Sequence, residues 1–253
     1  VIRKTKILKK KIQTCLEYED KIPFIKGAYH GKTCYIISCG PSLKDIERDI
    51  LREKLKDEFV VCIKQSYDLY GDICDLHVYN CANFKEYDYS VNPSSLIMES
   101  TSHRYFLNPN CDIKTFVVGP RGFDQTVSAL GNFDEWTFGK TNIKRPYGPG
   151  IMYENVFFMM EFLGVKKVVT IGWDCNRNTA SGVHFYDNRK VNVTLNDAEV
   201  NATMASLQAE DKVAANAIGK WNDWLASKEI ELNVLSKLNP GPERMKRITL
   251  EEL

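Results

Sequence analysis

Four short segments carry side chains able to handle an anionic, sugar-bearing ligand, and each closes an apolar run. The first is Cys39-Gly40-Pro41-Ser42, which follows Cys34–Ser38. Gly40 can turn tightly or let a ligand approach the backbone closely. Pro41 suits the first turn of a helix because its φ is preset and it has no N–H to satisfy. Ser42 can offer a hydroxyl and an N–H to a phosphate or ribose at the positive end of that helix. The plainer reading of the segment is a strand-to-helix turn with no ligand. Lys64, after Val60–Ile63, can meet a phosphate as a point charge or be an ordinary surface lysine. Asn80 ends Leu76–Tyr79 and carries both donor and acceptor, so it can read a sugar or base edge or simply make a turn. Gly172-Trp173-Asp174 ends Val168–Ile171, and Asp174 can hold a ribose, orient a base or cap the next segment.

A general base is sought among four histidines. His184, in Gly182-Val183-His184-Phe185-Tyr186-Asp187, lies in a long polar stretch after the fourth segment. Imidazole titrates near neutral pH and can take a hydroxyl proton, with Asp174 or Asp187 assisting; a structural loop histidine is the alternative. His77 falls inside a strand pattern and reads as core. Gly27–Thr33 looks like a phosphate-binding loop but is one residue short and precedes its strand. Asp-x-Asp, His-Glu-x-x-His and Gly-x-Gly-x-x-Gly patterns are absent after the first strand. Mg²⁺ on a nucleotide normally needs one or two carboxylates, so no metal is expected.

The elements that must position these residues alternate between strand and helix after residue 30, the pattern of a mostly parallel sheet with helices on both faces. Strands are expected at Cys34–Ser38, Phe59–Ile63, Leu76–Asn80, Leu96–Glu99, Thr115–Gly119, Lys167–Ile171 and Ile230–Leu235. Helices are expected from Leu43 to Leu55, from Gly150 to Leu163 (apolar nearly all round and so deeply buried) and from about Asp197 to Ser227. The fold class is therefore α/β and Rossmann-like, with one domain over 31–253. An irregular lid is expected around 83–148, preceded by a basic helix or linker over 1–30.

The chain has 253 residues and a formal net charge of +1, so no global field recruits nucleic acid. Eight cysteines without a Cys-x-x-Cys pair read as reduced thiols of a cytoplasmic protein. No apolar run is long enough to cross a bilayer. Residues 1–11 hold six Lys or Arg interleaved with Ile2, Ile7 and Leu8. That segment is either a solvated helix or linker, or a peripheral contact with an anionic membrane surface.

Taken together the segments resemble a family. Ile36-Ile37-Ser38-Cys39-Gly40-Pro41-Ser42-Leu43-Lys44 is similar to the opening of the bacterial sialyltransferases that decorate lipo-oligosaccharide, where an apolar strand runs into Gly-Asn-Gly-Pro-Ser-Leu-Lys. Val78-Tyr79-Asn80 resembles their Phe-Tyr-Asn. The run from Gly150-Ile151-Met152-Tyr153 through Gly164-Val165-Lys166-Lys167-Val168 to Gly172-Trp173-Asp174 resembles their helix, strand and Gly-Ile-Asp. The likeness covers about 33–80 and 147–175.

The resemblance implies a glycosyltransferase of the A type that transfers a sugar from a CMP-activated donor to a glycan hydroxyl, with inversion and without metal or other cofactor. It implies that Cys39, Gly40, Pro41, Ser42, Lys64, Asn80, the Gly148-Pro149-Gly150 turn, Gly172 and Asn176 line the CMP pocket. Cys39 stands where the family has a nucleotide-contacting asparagine, and Asn176 where it has the first of two phosphate-binding tyrosines. A wider group with the same Gly-Pro-Ser-Leu opening includes hydroxymethylpterin diphosphokinase-like proteins. It implies a second reading, pyrophosphoryl transfer from ATP to a pterin-type alcohol. A non-catalytic nucleotide- or glycan-binding module is the third.

Overall fold

A computed structural model describes residues 2–80, 85–101, 108–117, 137–138, 143–145, 151–175 and 204–253. Helices α1 (Ile2–Gln13) and α2 (Ile22–Ile25) lead into strand β1 (Thr33–Ile37). A 3₁₀ turn (Pro41–Asp45) and α3 (Arg48–Leu55) connect it to β2 (Phe59–Ile63), and α4 (Ser66–Tyr70) leads on to β3 (Leu76–Asn80). Strands β4 (Leu96–Thr101), β5 (Ile113–Val117), β6 (Thr137–Phe138) and β7 (Ile143–Arg145) follow. A π-helical turn (Met152–Val156) runs into α5 (Phe157–Phe162), then β8 (Lys167–Ile171), α6 (Met204–Ser227), β9 (Glu231–Leu235) and β10 (Lys246–Arg247).

All ten described strands join one sheet in the order β10-β9-β8-β1-β2-β3-β4-β5-β7-β6, parallel throughout except for β6 on its edge. This is an α/β, Rossmann-like fold. The central strands are apolar on both faces, as a sheet covered on both sides requires. Cys34, Ile36, Val61 and Val78 point into one layer, with α1, α2, α5 and α6; Ile37, Val60, Cys62 and Tyr79 point into the other, with α3 and α4. In α6 the inward positions Ala214, Ala217, Ile218, Trp221, Trp224 and Leu225 recur at helical spacing. The chain steps from β1 towards β5 in one direction, then returns to place β8 and β9 on the other side of β1. Right-handed crossovers in opposite directions put α3 and α6 on opposite faces.

Several expectations shift. The helix expected from Leu43 to Leu55 is split, because Ile46 is extended (φ −102°, ψ 125°) between the 3₁₀ turn and α3. Strand β5 starts two residues earlier than expected. Of the range expected as a lid, Leu96–Thr101, Ile113–Val117, Thr137–Phe138 and Ile143–Arg145 are strands of the sheet, and most of the remainder lies outside the described residues. No helix among the described residues is long and apolar enough to cross a membrane, and the described cysteines are free thiols.

The basic N-terminal helix is neither a linker nor a separate unit. Leu8 and Ile12 are buried in the core beside Ile25 and Tyr29. Two aspartates at the amino-terminal edge of the sheet fasten α1. The Tyr29 hydroxyl donates to Thr5 Oγ1 at 2.6 Å, and Thr5 in turn donates to Asp75. Lys9 donates to the Ser95 carbonyl at 2.6 Å and lies 3.6 Å from the Asp112 carboxylate. The two aspartates also repeat one device, accepting the N–H of Val60 at 3.1 Å and of Ile97 at 2.9 Å respectively.

Burial raises the Asp75 carboxyl from 3.8 to about 6, against the lowering effect of its hydrogen bonds. A carboxyl whose folded pKa lies above its unfolded value binds more protons when folded. Its contribution to stability is full at low pH and is lost as pH rises through that window, by at most roughly 3 kcal/mol at 1.36 kcal/mol per unit. Urea denaturation of Asp75→Asn between pH 4 and 7 is expected to show a shallower decline in stability than the wild type. Parallel curves would show that Asp75 does not titrate in this window.

Candidate functional site

Strand order reverses between β1 and β8, and in open α/β sheets ligands bind outside the carboxyl ends of the strands at such a point. Here the structure brings Gly40-Pro41-Ser42 and Gly172-Trp173-Asp174 together. The two segments lock onto each other. Ser38 N–H donates to Ile171 O, and Gly40 N–H to Gly172 O, both at 2.8 Å, extending the ladder past the strands. Gly172 then turns the chain at φ +70°, a left-handed conformation that favours glycine. This brings Asp174, 2% exposed, over the 3₁₀ turn. Ser42 N–H donates to Asp174 Oδ2 at 2.7 Å and the Ser42 hydroxyl donates to Oδ1 at 2.6 Å. The Ser236 hydroxyl, just past β9, also donates to Oδ1.

The donors expected to face a phosphate therefore meet the protein's own carboxylate. Asp174 caps a segment, as one reading held, but that segment is the turn after β1 rather than its own successor. Gly40 is needed for a related reason. Its φ is an ordinary −66°. A Cβ there would collide with the Asp174 carboxylate and the Gly172 carbonyl. It admits a close approach, and what approaches is β8's extension. The Cys39 thiol is also directed inward, donating to Ile63 O at 3.1 Å.

Two other sequence-derived residues stand at the same edge, one and two strands along. Lys64 and Asn80 are both half-buried, at the ends of β2 and β3. Lys64 sits at φ +49°, which for a non-glycine side chain costs on the order of 1 kcal/mol or more and must be held by its surroundings. The holding groups are plain. Lys64 N–H donates to Val78 O at 2.9 Å, while its carbonyl accepts Tyr67 N–H at 3.2 Å and His77 Nε2–H at 2.9 Å. A carbonyl only accepts, so Nε2 carries the proton and Nδ1 accepts the Tyr89 hydroxyl at 2.9 Å. Burial pushes the His77 pKa down to about 3, with the nearby Lys85 charge adding to it, so the ring is neutral. It sits among Tyr67, Tyr79, Tyr87 and Tyr89, with Tyr67 stacked on it at 4.5 Å between centroids. His77 is thus core, as its strand pattern indicated, and it supports the Lys64 peptide.

Other contributors have no sequence motif. The Ser66 hydroxyl accepts Ile63 N–H at 2.8 Å and reaches Ile37 O at 2.7 Å, joining the ends of β1 and β2. The helix expected from Gly150 begins with π-helical geometry, a feature often found at functional sites. From that turn Met152 accepts the Ser38 hydroxyl at 3.6 Å, and Asn155 donates to Thr115 Oγ1 at 3.0 Å. Asn239 ties the far side by donating to Trp173 O at 2.6 Å. A polar residue immediately past a strand, Ser236 after Leu235, is the one sequence signal that could have flagged this group. A cavity of about 660 Å³ opens on that side, lined by Ser42, Ile46, Leu235, Ser236, Arg247 and Leu250 among others.

Gly148, Pro149, Gly150, Asn176, His184 and Asp187 lie outside the described residues. Among the described residues, no group of three or more His, Cys, Asp or Glu could hold a metal ion. The chain matches no protein-family model and no curated protein.

The interlock makes Gly40→Ala a sharp test. The methyl group meets a backbone carbonyl and a buried carboxylate that cannot both move, so about 3 kcal/mol of stability should be lost. Asp174→Asn keeps the shape and weakens charge-assisted bonds, for a loss of about 1.5–3 kcal/mol. Denaturant midpoints measure both; a neutral Gly40→Ala would contradict the packing described here.

Proposed function

We propose that the protein is a nucleotide-sugar glycosyltransferase that moves a sugar from a CMP-activated donor to a glycan hydroxyl. The reading rests above all on one observation: the segments that resemble the bacterial sialyltransferases meet at the reversal of strand order, with Lys64 and Asn80 on the same edge. In this reading the nucleotide lies over β2 and β3 rather than on the Ser42 donors, which Asp174 already engages. Lys64 faces the phosphate and Asn80 a sugar or base edge. The cavity beyond β9 takes the acceptor.

The chemistry is an inverting displacement. The acceptor oxygen bonds to the anomeric carbon as the bond to the phosphate oxygen breaks, and CMP leaves with that electron pair. Lys64 stabilises the charge that develops on the phosphate. His184 takes the acceptor proton, and Asp187 assists it. Asp174 acts from a distance, by fixing the turn on which the site is built. No metal takes part in this reading, whereas pyrophosphoryl transfer from ATP would require Mg²⁺.

Calorimetric titration with CMP and with ATP, each with and without Mg²⁺, separates the readings. CMP is expected to bind without metal, and Lys64→Ala to weaken it about tenfold, the equivalent of ~1.4 kcal/mol for one charged contact. Binding of ATP only with Mg²⁺, and none of CMP, would reject the proposal in favour of pyrophosphoryl transfer. Once transfer is observed with a CMP-sugar, His184→Ala should slow it about 10²–10⁴-fold. A near wild-type rate would remove His184 from the mechanism.

A further inference from the structure

Charge is distributed unevenly along this chain. Residues 1–26 hold eight Lys or Arg against three Asp or Glu, while the remaining 227 hold 26 against 30. The first acidic residue is Glu17. The structure sorts the N-terminal side chains into two sets. Thr5, Leu8 and Ile12 face inward, and Lys9 is engaged by Ser95 and Asp112. Lys4, Lys6, Lys10 and Lys11 are exposed. Between and beside them stand apolar side chains the core does not use: Ile7 is 49% exposed, Leu16 96% and Phe24 44%. Only two other large hydrophobic residues among the described ones are as exposed, Ile50 and Val91. Ile7 lies one helical turn before Lys11 on the same side of α1. Lys11 in turn holds its ammonium 5.8 Å from the centre of the Phe24 ring. Ile7, Lys11 and Phe24 therefore share one outward surface, and exposed Leu16 lies in the segment that joins α1 to α2.

We propose that this surface docks the protein on an anionic lipid bilayer, with the lysines at the headgroups and Ile7, Leu16 and Phe24 entering the interfacial layer. Charge complementarity selects the occupant: each surface lysine gains from the negative potential of such a leaflet. Aliphatic Ile7 and Leu16 have no counterpart in phosphate-backbone recognition, but they gain on entering a bilayer interface. α1 does not peel away to make this contact. Its Leu8 and Ile12 stay in the core, so the attachment is peripheral, shallow and salt-sensitive. The geometry also sets the orientation. The groups that fasten α1, namely Asp75, Ser95 and Asp112, immediately precede β3, β4 and β5. The docking surface is thus at the amino-terminal edge of the sheet. The carboxyl-terminal edge, with Lys64 and Asn80, faces away from the bilayer. This inference does not rest on the proposed chemistry.

Sedimentation with sucrose-loaded vesicles tests it. One set is phosphatidylcholine alone and the other carries about 30 mol % phosphatidylglycerol, at about 0.1 M and about 0.5 M salt. The protein is expected to bind the anionic vesicles at low salt, and at least about tenfold more weakly to neutral vesicles or at high salt. Lys10→Glu/Lys11→Glu should lose about tenfold or more, by reversing two charges at the surface. Ile7→Ser/Phe24→Ser keeps every lysine and should still weaken binding several-fold. Both pairs of side chains are exposed, so unchanged denaturation midpoints serve to confirm folding. Absence of vesicle binding, equal binding to neutral vesicles, or indifference to either double variant overturns the proposal. A single-stranded oligonucleotide that binds the same surface and displaces the vesicles overturns it in favour of nucleic acid.

Discussion

A buried carboxylate that needs donors holds this molecule's candidate site together. Asp174 is withdrawn from water at the end of β8, and an ionised carboxylate so placed must be met by hydrogen bonds. It finds them on another strand's extension, the Ser42 N–H and hydroxyl, and on the Ser236 hydroxyl after a third. Three chain segments, 132 and 62 residues apart along the chain, are thereby fixed relative to one another. Much follows from this. Position 40 has no room for a side chain, Gly172 must turn in the left-handed region, and the turn's donors are satisfied internally.

The same edge of the sheet is built differently one strand beyond β1. At Lys64 the backbone holds an uncommon conformation, and the cost is offset by hydrogen bonds to the Val78 carbonyl, from the Tyr67 N–H and from a buried, neutral histidine. The tyrosines around His77 keep its ring dry and oriented. A rigid, self-satisfied seam thus borders a strained, supported lysine. In the proposed function that division leaves positioning to Gly40, Ser42 and Asp174, and ligand contact to Lys64 and Asn80.

How much of this was legible in the sequence depended on the range of the interaction. β2, β3 and β8 matched expectation to the residue, because each is an apolar run bounded by turn or polar residues. Strands of two or three residues such as β6, β7 and β10 were invisible, since so short a segment has no period to read. The sequence singled out the Gly40 and Asp174 segments as candidate ligand contacts, but did not point to them as each other's partners. Nothing local in Ser42 says whether its donors face a ligand or a carboxylate from β8. Ser236 and Ser66 were missed for the same reason: a serine's role is set by what the fold places beside it. The N-terminal helix misled in a different way. Its lysines dominate the composition, while the three inward residues that dock it, Thr5, Leu8 and Ile12, are few.

A double-mutant cycle between Ser42→Ala and Asp174→Ala reads the interlock most directly. Each single change removes one end of the same hydrogen bond, and the double variant removes both. If the seam organises the carboxyl edge as described, the two changes are strongly non-additive, with a coupling of about 1.5–3 kcal/mol for a buried charge-assisted bond. Additivity to within about 0.5 kcal/mol would mean that the two residues do not hold each other, and the account of the site would fail with them.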